Sequence, residues 1–157
     1  MGSRRLPASS LFCEDRFGEP LALAPGDPFA AVLEAVRMAP AASNKQPWRV
    51  VRRGADWHFY LQRTKGYGKG SALFAVLRLA DLQRVDLGIA RCHFELVARE
   101  LGLAGTWVFD EPPAAGSGSG AAAGPPAPGS DPAAVGAGTA APGAHVEYCA
   151  TWRAKGA

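Results

Sequence analysis

Apolar residues recur with a helical period in two parts of the chain. The first run predicts a helix that begins with Asp27 as its N-cap and Pro28 at the first helical position. We expect this helix to end before Pro40, because the residue preceding a proline avoids the helical region. The apolar stripe of this helix recurs at intervals of three and four and consists of Phe29, Val32, Leu33 and Val36.

The second run predicts a long helix from about Leu79 or Asp81 to Leu101, with Gly102 as its C-terminal stop. Apolar residues lie on more than one side of this helix, which is typical of a helix in the centre of a domain. One face holds Leu82, Val85, Ile89, Cys92, His93 and Leu96, while Leu87, Phe94 and Val97 add apolar surface elsewhere.

Four other stretches are rich in aromatic and β-branched residues and predict strands. Residues 48–52 and 57–61 flank Arg53-Gly54-Ala55-Asp56 and predict a hairpin. Residues 106–109 and 146–151 predict two further short strands. The order helix, hairpin, helix, strand, strand predicts an α+β fold with a mainly antiparallel sheet and a long central helix.

Composition divides the chain into four parts. Residues 1–26, punctuated by proline and glycine, predict an extended arm or linker, and residues 27–111 form the predicted core. Residues 112–144 are almost entirely Ala, Gly, Pro and Ser and predict a flexible insertion, because such a segment buries too little apolar surface to offset its ordering entropy. Residues 145–157 then return as the C-terminal strand of the core.

Length and charge exclude several classes of protein. The 157 residues are 48% hydrophobic and carry a net charge of +3, which fits one folded domain rather than a disordered chain. No apolar run reaches the ~18 residues that a membrane-spanning helix needs, so no membrane partner is expected. The basic residues are spread and accompany no nucleic-acid-binding motif, so no nucleic-acid partner is expected either. Three widely spaced cysteines predict neither disulfides nor a metal site, and a cytoplasmic location is the default.

The loop between Pro40 and Pro47 is the candidate binding segment. Its hydroxyl and amide side chains offer donors and acceptors without formal charge, and its two alanines would let a planar ligand approach the backbone. The alternative is a well-capped loop whose amides satisfy their own backbone. The residues concerned are Ala41, Ala42, Ser43, Asn44 and Gln46.

Other polar residues have simpler interpretations. Cys92 and His93 favour core packing over metal ligation, because no companion ligands stand at zinc spacing. Asp86 and Glu95 are nine residues apart, about 13.5 Å along a helix axis, which favours solvated or ion-paired roles over joint acid–base work. His58 is expected on the less buried face of its strand. No Ser/His/Asp arrangement or phosphate-binding loop is present, so no catalytic side chain is predicted.

Residues 40–49 resemble the loop of the FMN-dependent nitroreductase family, whose pattern is Pro-Ser-x-x-Asn-x-Gln-Pro-Trp. They are most similar to the second repeat of a subgroup that fuses two nitroreductase-like repeats in one chain. The further segments that match this repeat are residues 57–61, residues 81–90 with Cys92-His93-Phe94-Glu95, and Glu147-Tyr148 with Trp152.

The resemblance implies a sandwich in which two halves pair and hold FMN at their junction. One half supplies an arginine-rich phosphate site, and the opposite half presents the loop to the flavin. Carried over by position, the residues that would contact the flavin or its ribityl chain are Pro40, Ala41, Ala42 and Asn44. Ser43 and Gln46 would shape the loop from behind.

The chain departs from the family pattern in two places. Ala41 replaces the usual serine, and the Arg-Arg-Ser-x-Arg phosphate site is missing together with the first repeat, since Arg4-Arg5-Leu6-Pro7 resembles the linker between repeats. The resemblance therefore implies that this chain supplies half of an FMN site. The flavin at that site would carry out the NAD(P)H-dependent reduction of nitroaromatic or quinone-type acceptors. Its partner would be a second copy or a separate first-repeat chain. The alternative is a non-catalytic pairing module, or a truncated fragment, that needs the first repeat.

Overall fold

Five strands and three α-helices are formed by the residues that the computed structural model describes, which are 5–64, 81–110 and 146–155. This architecture confirms the α+β fold class. The helices are α1 (Ala8–Leu11), α2 (Phe29–Met38) and α3 (Leu82–Glu100). The strands are β1 (Phe12–Glu14), β2 (Trp48–Arg53), β3 (Asp56–Gln62), β4 (Gly105–Val108) and β5 (Val146–Ala154).

The strands form one mixed sheet in the order β1-β2-β3-β5-β4. Only the β1–β2 pair is parallel, and the other three pairs are antiparallel, as predicted. The predicted hairpin is β2–β3, where Trp48 pairs with Leu61 and Arg53 with Asp56. Gly54 has a φ of +58° in the turn between these strands, a conformation that glycine adopts without strain.

The two faces of the sheet carry separate apolar clusters, because side chains alternate across each strand. The larger cluster joins one face to α2 and α3 and includes the fully buried side chains of Trp48, Trp57 and Phe59. The smaller cluster lies on the other face and is centred on Cys13, Val51 and Tyr60.

The two longer helices, α2 and α3, both begin with an aspartate cap. Phe29 N donates to Asp27 Oδ1 (2.9 Å) and Pro28 has helical torsion angles, so Asp27 caps α2 as predicted. Arg84 N donates to Asp81 Oδ1 (3.2 Å) at the start of α3. Gly102, with a φ of +74°, follows the end of that helix.

The sequence of α3 contains two sets of apolar residues, and the smaller set lies on the buried side of the helix. Its apolar members are Leu87, Ala90, Phe94 and Ala98. On the other set, Leu82, Val85 and Leu96 are 47%, 50% and 60% exposed. The helix therefore packs on the core with one side and turns a second apolar side outward.

The N-terminal residues contribute more than the extended arm that their composition predicts. Within residues 5–26, α1 and β1 are regular elements, and β1 pairs with β2 through Phe12 and Val50. Leu11 and Phe12 are buried in the larger cluster. The predicted insertion at 112–144 and most of the predicted polar loop at 63–72 lie outside the described residues.

Candidate functional site

The loop that joins α2 to β2 has an unusual backbone. Three of its residues that are not glycine, Ser43, Asn44 and Gln46, have φ values of 51°, 53° and 46°. The left-handed region costs such a residue about 1–3 kcal/mol, and it persists only where the surroundings enforce it. Strain of this kind is concentrated in ligand-binding segments, and contacts with three other parts of the fold hold this loop in place.

The side chain of Gln46 holds the loop from the inside. It is fully buried, and its Oε1 accepts a hydrogen bond from Leu6 N (2.7 Å). Its Nε2 donates to Arg37 O (3.0 Å) in the last turn of α2. The amide thus joins the N-terminal segment, the end of α2 and the loop. The expected role of Gln46 in shaping the loop behind a cofactor stays a prediction.

Arg5 holds the same loop from the N-terminal side. Its Nη1 donates to Ala39 O (2.9 Å) and to Asn44 Oδ1 (2.8 Å), and its Nη2 donates to Met38 O (2.9 Å). A cation at this position also interacts favourably with the C-terminal end of the α2 dipole. The guanidinium of Arg5 is therefore engaged with oxygens at the end of α2 and in the loop.

Asp86 holds the loop from the side of α3. Ala42 N donates to its Oδ1 (3.0 Å), and the residue is only 4% exposed. Its second oxygen, Oδ2, is buried and has no hydrogen-bond partner in the structure. The expectation that Asp86 is solvated or ion-paired is therefore wrong. Asp86 shares a side of the helix with Leu87 and Ala90, which removes it from solvent.

The outer surface of the loop exposes small and neutral groups together with the charged side chain of Lys45. Pro40, Ala42 and Ser43 are exposed, while Ala41 and Asn44 are half-buried. The six predicted site residues thus divide into five that reach the surface in part and one, Gln46, that does not. Their contacts with a cofactor stay predictions.

Arg49 lies directly after this loop, at the start of β2. Its Nη1 donates to the carbonyl oxygens of Gln46 and Trp48. Burial holds the pKa of its guanidinium below the ordinary value. Among the residues that the structure describes, no carboxylate lies within ion-pair distance of Arg49.

His58 is buried, contrary to the expected position on a less buried face. Its Nδ1 lies 2.7 Å from Thr151 Oγ1, and burial together with the charge of Arg53 lowers its pKa. His58 is buried because the smaller apolar cluster covers its face of the sheet, which we had expected to be in contact with solvent.

The remaining candidates lie on α3. Cys92 is exposed rather than packed in the core, and His93 is half-buried. Glu95 is ion-paired, as expected, with Arg99 (2.5 Å) and also accepts from Trp107 Nε1 (2.9 Å). Across the described ranges, no group of three or more His, Cys, Asp and Glu side chains could hold a metal ion.

Sequence reasoning missed the roles of Arg5 and Asp86. The sequence pattern could have predicted the burial of Asp86, because this residue falls at helical spacing among Leu87, Ala90 and Phe94. It is the one charged residue on that side of α3. Arg5 had none, since its partners are more than thirty residues away in the sequence.

An α+β fold with a strained loop after α2 is the class of structure that these observations define. Residues 24–98, a little under half of the chain, match the model of the family described as "Putative TM nitroreductase". The matched range contains α2, the loop, the β2–β3 hairpin and most of α3. No curated protein matches the chain. In the described part of the chain no helix is both long and apolar enough to cross a membrane. The family match supports a general nitroreductase-type function.

Proposed function

We propose that this chain is a cytoplasmic nitroreductase-type flavoprotein subunit that supplies half of an FMN site. When bound, the flavin would accept hydride from NAD(P)H and deliver two electrons to a nitroaromatic or quinone-type acceptor. The observation that carries the proposal is the loop after α2, which combines the family match with an exposed surface held in a strained conformation.

The outer face of the loop suits a flavin ring in shape and in its hydrogen-bonding groups. Ala42 and Ser43 are exposed and carry small side chains, so a planar ring could lie close to the backbone. The Asn44 amide and the Ser43 hydroxyl are neutral polar groups that suit the mixed donors and acceptors of a flavin edge. Flavin binding needs no charged side chain at this surface, since hydrogen bonds orient the ring and tune it.

Three sets of partly buried contacts would keep this surface ready for the cofactor. Gln46 fixes the loop to the N-terminal segment and to α2, Arg5 fixes it to the end of α2, and Asp86 fixes Ala42 N to α3. Binding to a loop that is already ordered avoids part of the entropy of ordering it. These residues would be positioning groups, and no side chain of this chain need act as a nucleophile.

The way in which Arg5 is used supports the proposed half-site character. Its donors are directed to Met38 O, Ala39 O and Asn44 Oδ1, which leaves it poorly disposed to hold the FMN phosphate. The phosphate would then be held by residues of an opposite half, in a second copy or a first-repeat chain. The same observation favours a second candidate function, a non-catalytic pairing module that lends its loop to a separate catalytic chain.

Titration of the purified chain with FMN, followed by flavin fluorescence and absorbance, tests the proposal. We expect Ala42→Phe to weaken FMN binding by about tenfold or more, because the new ring would occupy the flavin position. Ala31→Phe is the matched control, since Ala31 is an equally exposed alanine on α2, and it should leave the affinity unchanged.

The outcome also separates the two candidate functions. Saturable FMN binding with reduction by NAD(P)H supports the flavoprotein subunit. A chain that takes up no FMN alone, but restores a site when mixed with a first-repeat chain, supports the pairing module.

A further inference from the structure

Arg49 is a half-buried cation on the face of the sheet opposite to α2 and α3. It pairs with Tyr60 across the β2–β3 ladder, and residues directly opposite one another project from the same face. Val51 lies two residues further along β2 and therefore shares that face. Tyr60 and Val51 belong to the smaller apolar cluster, together with Cys13. Arg49 thus extends from a face whose other side chains are mainly apolar or aromatic.

The guanidinium of Arg49 is anchored at one end only. Its Nη1 donates to Gln46 O (3.0 Å) and to Trp48 O (2.5 Å), so both hydrogens of that nitrogen are used. Among the described residues, none accepts a hydrogen bond from Nε or Nη2 of this side chain. A guanidinium is planar, so the free Nε–H and one N–H of Nη2 lie side by side on one edge. Such an edge matches two oxygens of a carboxylate or a phosphate.

The charge of Arg49 lacks a counter-charge in the part of the chain that the structure describes. Its neighbour Arg52 pairs with Asp27 (3.4 Å), whereas no described carboxylate is within ion-pair distance of Arg49. Removing a charge from water without a partner is unfavourable. A bound anion would offset this cost, and the apolar surroundings would strengthen its attraction to the guanidinium relative to bulk water.

We propose that Arg49 binds an oxyanion, either a carboxylate or a phosphate group, through its Nε and Nη2 donors. The carbonyl oxygens of Gln46 and Trp48 hold the guanidinium in place before the anion arrives. Little side-chain entropy is then lost on binding. Because Gln46 also anchors the strained loop, the oxyanion site is joined directly to the candidate flavin-binding segment.

The inference deepens the proposed function, on which it rests for the source of the oxyanion. In the proposed reaction the nicotinamide donor carries phosphates, and a nitroaromatic acceptor such as para-nitrobenzoate carries a carboxylate. The site can nevertheless be measured with inorganic phosphate in the absence of flavin. Failure to bind FMN and failure to bind an oxyanion are therefore separate results.

Titration of the full chain with inorganic phosphate or acetate, followed by the NMR signals of the arginine Nε–H groups, tests the site. The Arg49 signal is assigned by its loss in Arg49→Gln. We expect it to shift in a saturable manner, while the signal of Arg53, whose Nε already donates to Asp15 O (2.9 Å), serves as the internal reference. An Arg49 signal that does not shift, or that shifts only in proportion to that of Arg53, overturns the proposal.

Urea denaturation gives a second measurement of the same site. Phosphate stabilises folded proteins in general, so the comparison is between variants in phosphate and in chloride of equal ionic strength. We expect phosphate to raise the urea midpoint of the original chain more than that of Arg49→Gln, because a ligand that binds the folded state stabilises it. Arg49→Lys keeps the charge without the planar donor edge and should weaken phosphate binding by about tenfold.

Arg53→Gln is the matched control, since it removes the same charge from the same face of β2. Phosphate should raise its urea midpoint as much as that of the original chain. An equal rise in all of these chains would overturn the proposal, because the effect of phosphate would then not depend on Arg49.

Larger ligands identify the source of the oxyanion through the same Arg49 signal. Binding of para-nitrobenzoate about tenfold tighter than acetate, with no shift caused by the uncharged para-nitrobenzamide, assigns the site to the acceptor. Binding of oxidised NADP about tenfold tighter than inorganic phosphate assigns it to the donor. Equal affinities in both comparisons would overturn the link between this site and the proposed reaction.

Discussion

The two sides of α3 are both apolar, yet only one of them is part of the core. The inner side presents Ala90 and Ala98 with Phe94 between them, and all three are fully buried. The outer side presents larger aliphatic residues, such as Leu82 and Leu96, that stay half-exposed. This helix therefore approaches the sheet on the side that carries its small residues, and not on the side that carries most of its large aliphatic residues.

The contacts of Phe94 explain why the inner side of α3, and not the outer side, packs on the sheet. Its ring centroid lies 5.3 Å from that of Phe59 and 5.8 Å from those of Trp57 and Trp152. Such aromatic pairs add about 0.5–1.5 kcal/mol each beyond the burial of their area. The alanines on either side allow this ring to reach the aromatic residues of the sheet.

The largest expected effect is therefore at Phe94. We expect Phe94→Ala to lower the free energy of unfolding by about 3–5 kcal/mol, because it removes a buried ring and leaves a cavity among aromatic side chains. Urea denaturation followed by tryptophan fluorescence measures the change. Phe109→Ala is the matched control, since Phe109 is 63% exposed, and its cost should stay below about 1 kcal/mol. Equal costs for the two variants would contradict the assignment of the inner side.

Two glycines, Gly105 beside the core and Gly88 on the exposed part of α3, allow the same comparison of a packed and an open position. A Cβ on Gly105 would lie 2.3 Å from the indole of Trp152, whereas one on Gly88 would meet nothing. We expect Gly105→Ala to cost about 1–3 kcal/mol through overpacking against the core. Gly88→Ala, measured at a concentration where the chain is monomeric, should stabilise the helix by about 1 kcal/mol. A Gly105→Ala variant as stable as the original chain would show that Trp152 can move aside at no cost.

Asp86 lies at the boundary between the inner side of α3 and the candidate site. We expect Asp86→Ala to cost about 1–3 kcal/mol, because Ala42 N loses its acceptor in a partly buried position. The faster hydrogen exchange of the Ala42 amide reports this loss directly. Asp86→Asn keeps an oxygen acceptor and should retain the protection of that amide. Unchanged exchange in Asp86→Ala would mean that the loop does not depend on α3.

Patterns along the chain predicted the elements around the site. The contacts that hold the loop, and the side of α3 that is buried, depend on residues that are distant in the sequence. Pro40, Pro47 and the strand residues after them bounded the loop and the hairpin, because local backbone preferences act over a few residues. The contacts of Gln46 with Leu6 and of Asp86 with Ala42 join residues about forty positions apart, so no local pattern carries them. The same limit applies to α3, whose periodicity predicts a helix without saying which apolar side meets the sheet.

The smallest expected effect is on the outer side of α3. We expect Leu96→Ala to change the free energy of unfolding of the monomer by no more than about 0.5 kcal/mol, because 60% of the residue is already in contact with water. The measurement is urea denaturation at low protein concentration, where pairing does not contribute. A loss as large as that of Phe94→Ala would mean that the outer side belongs to the core of the single chain. The contrast between the two sides of α3 would then disappear.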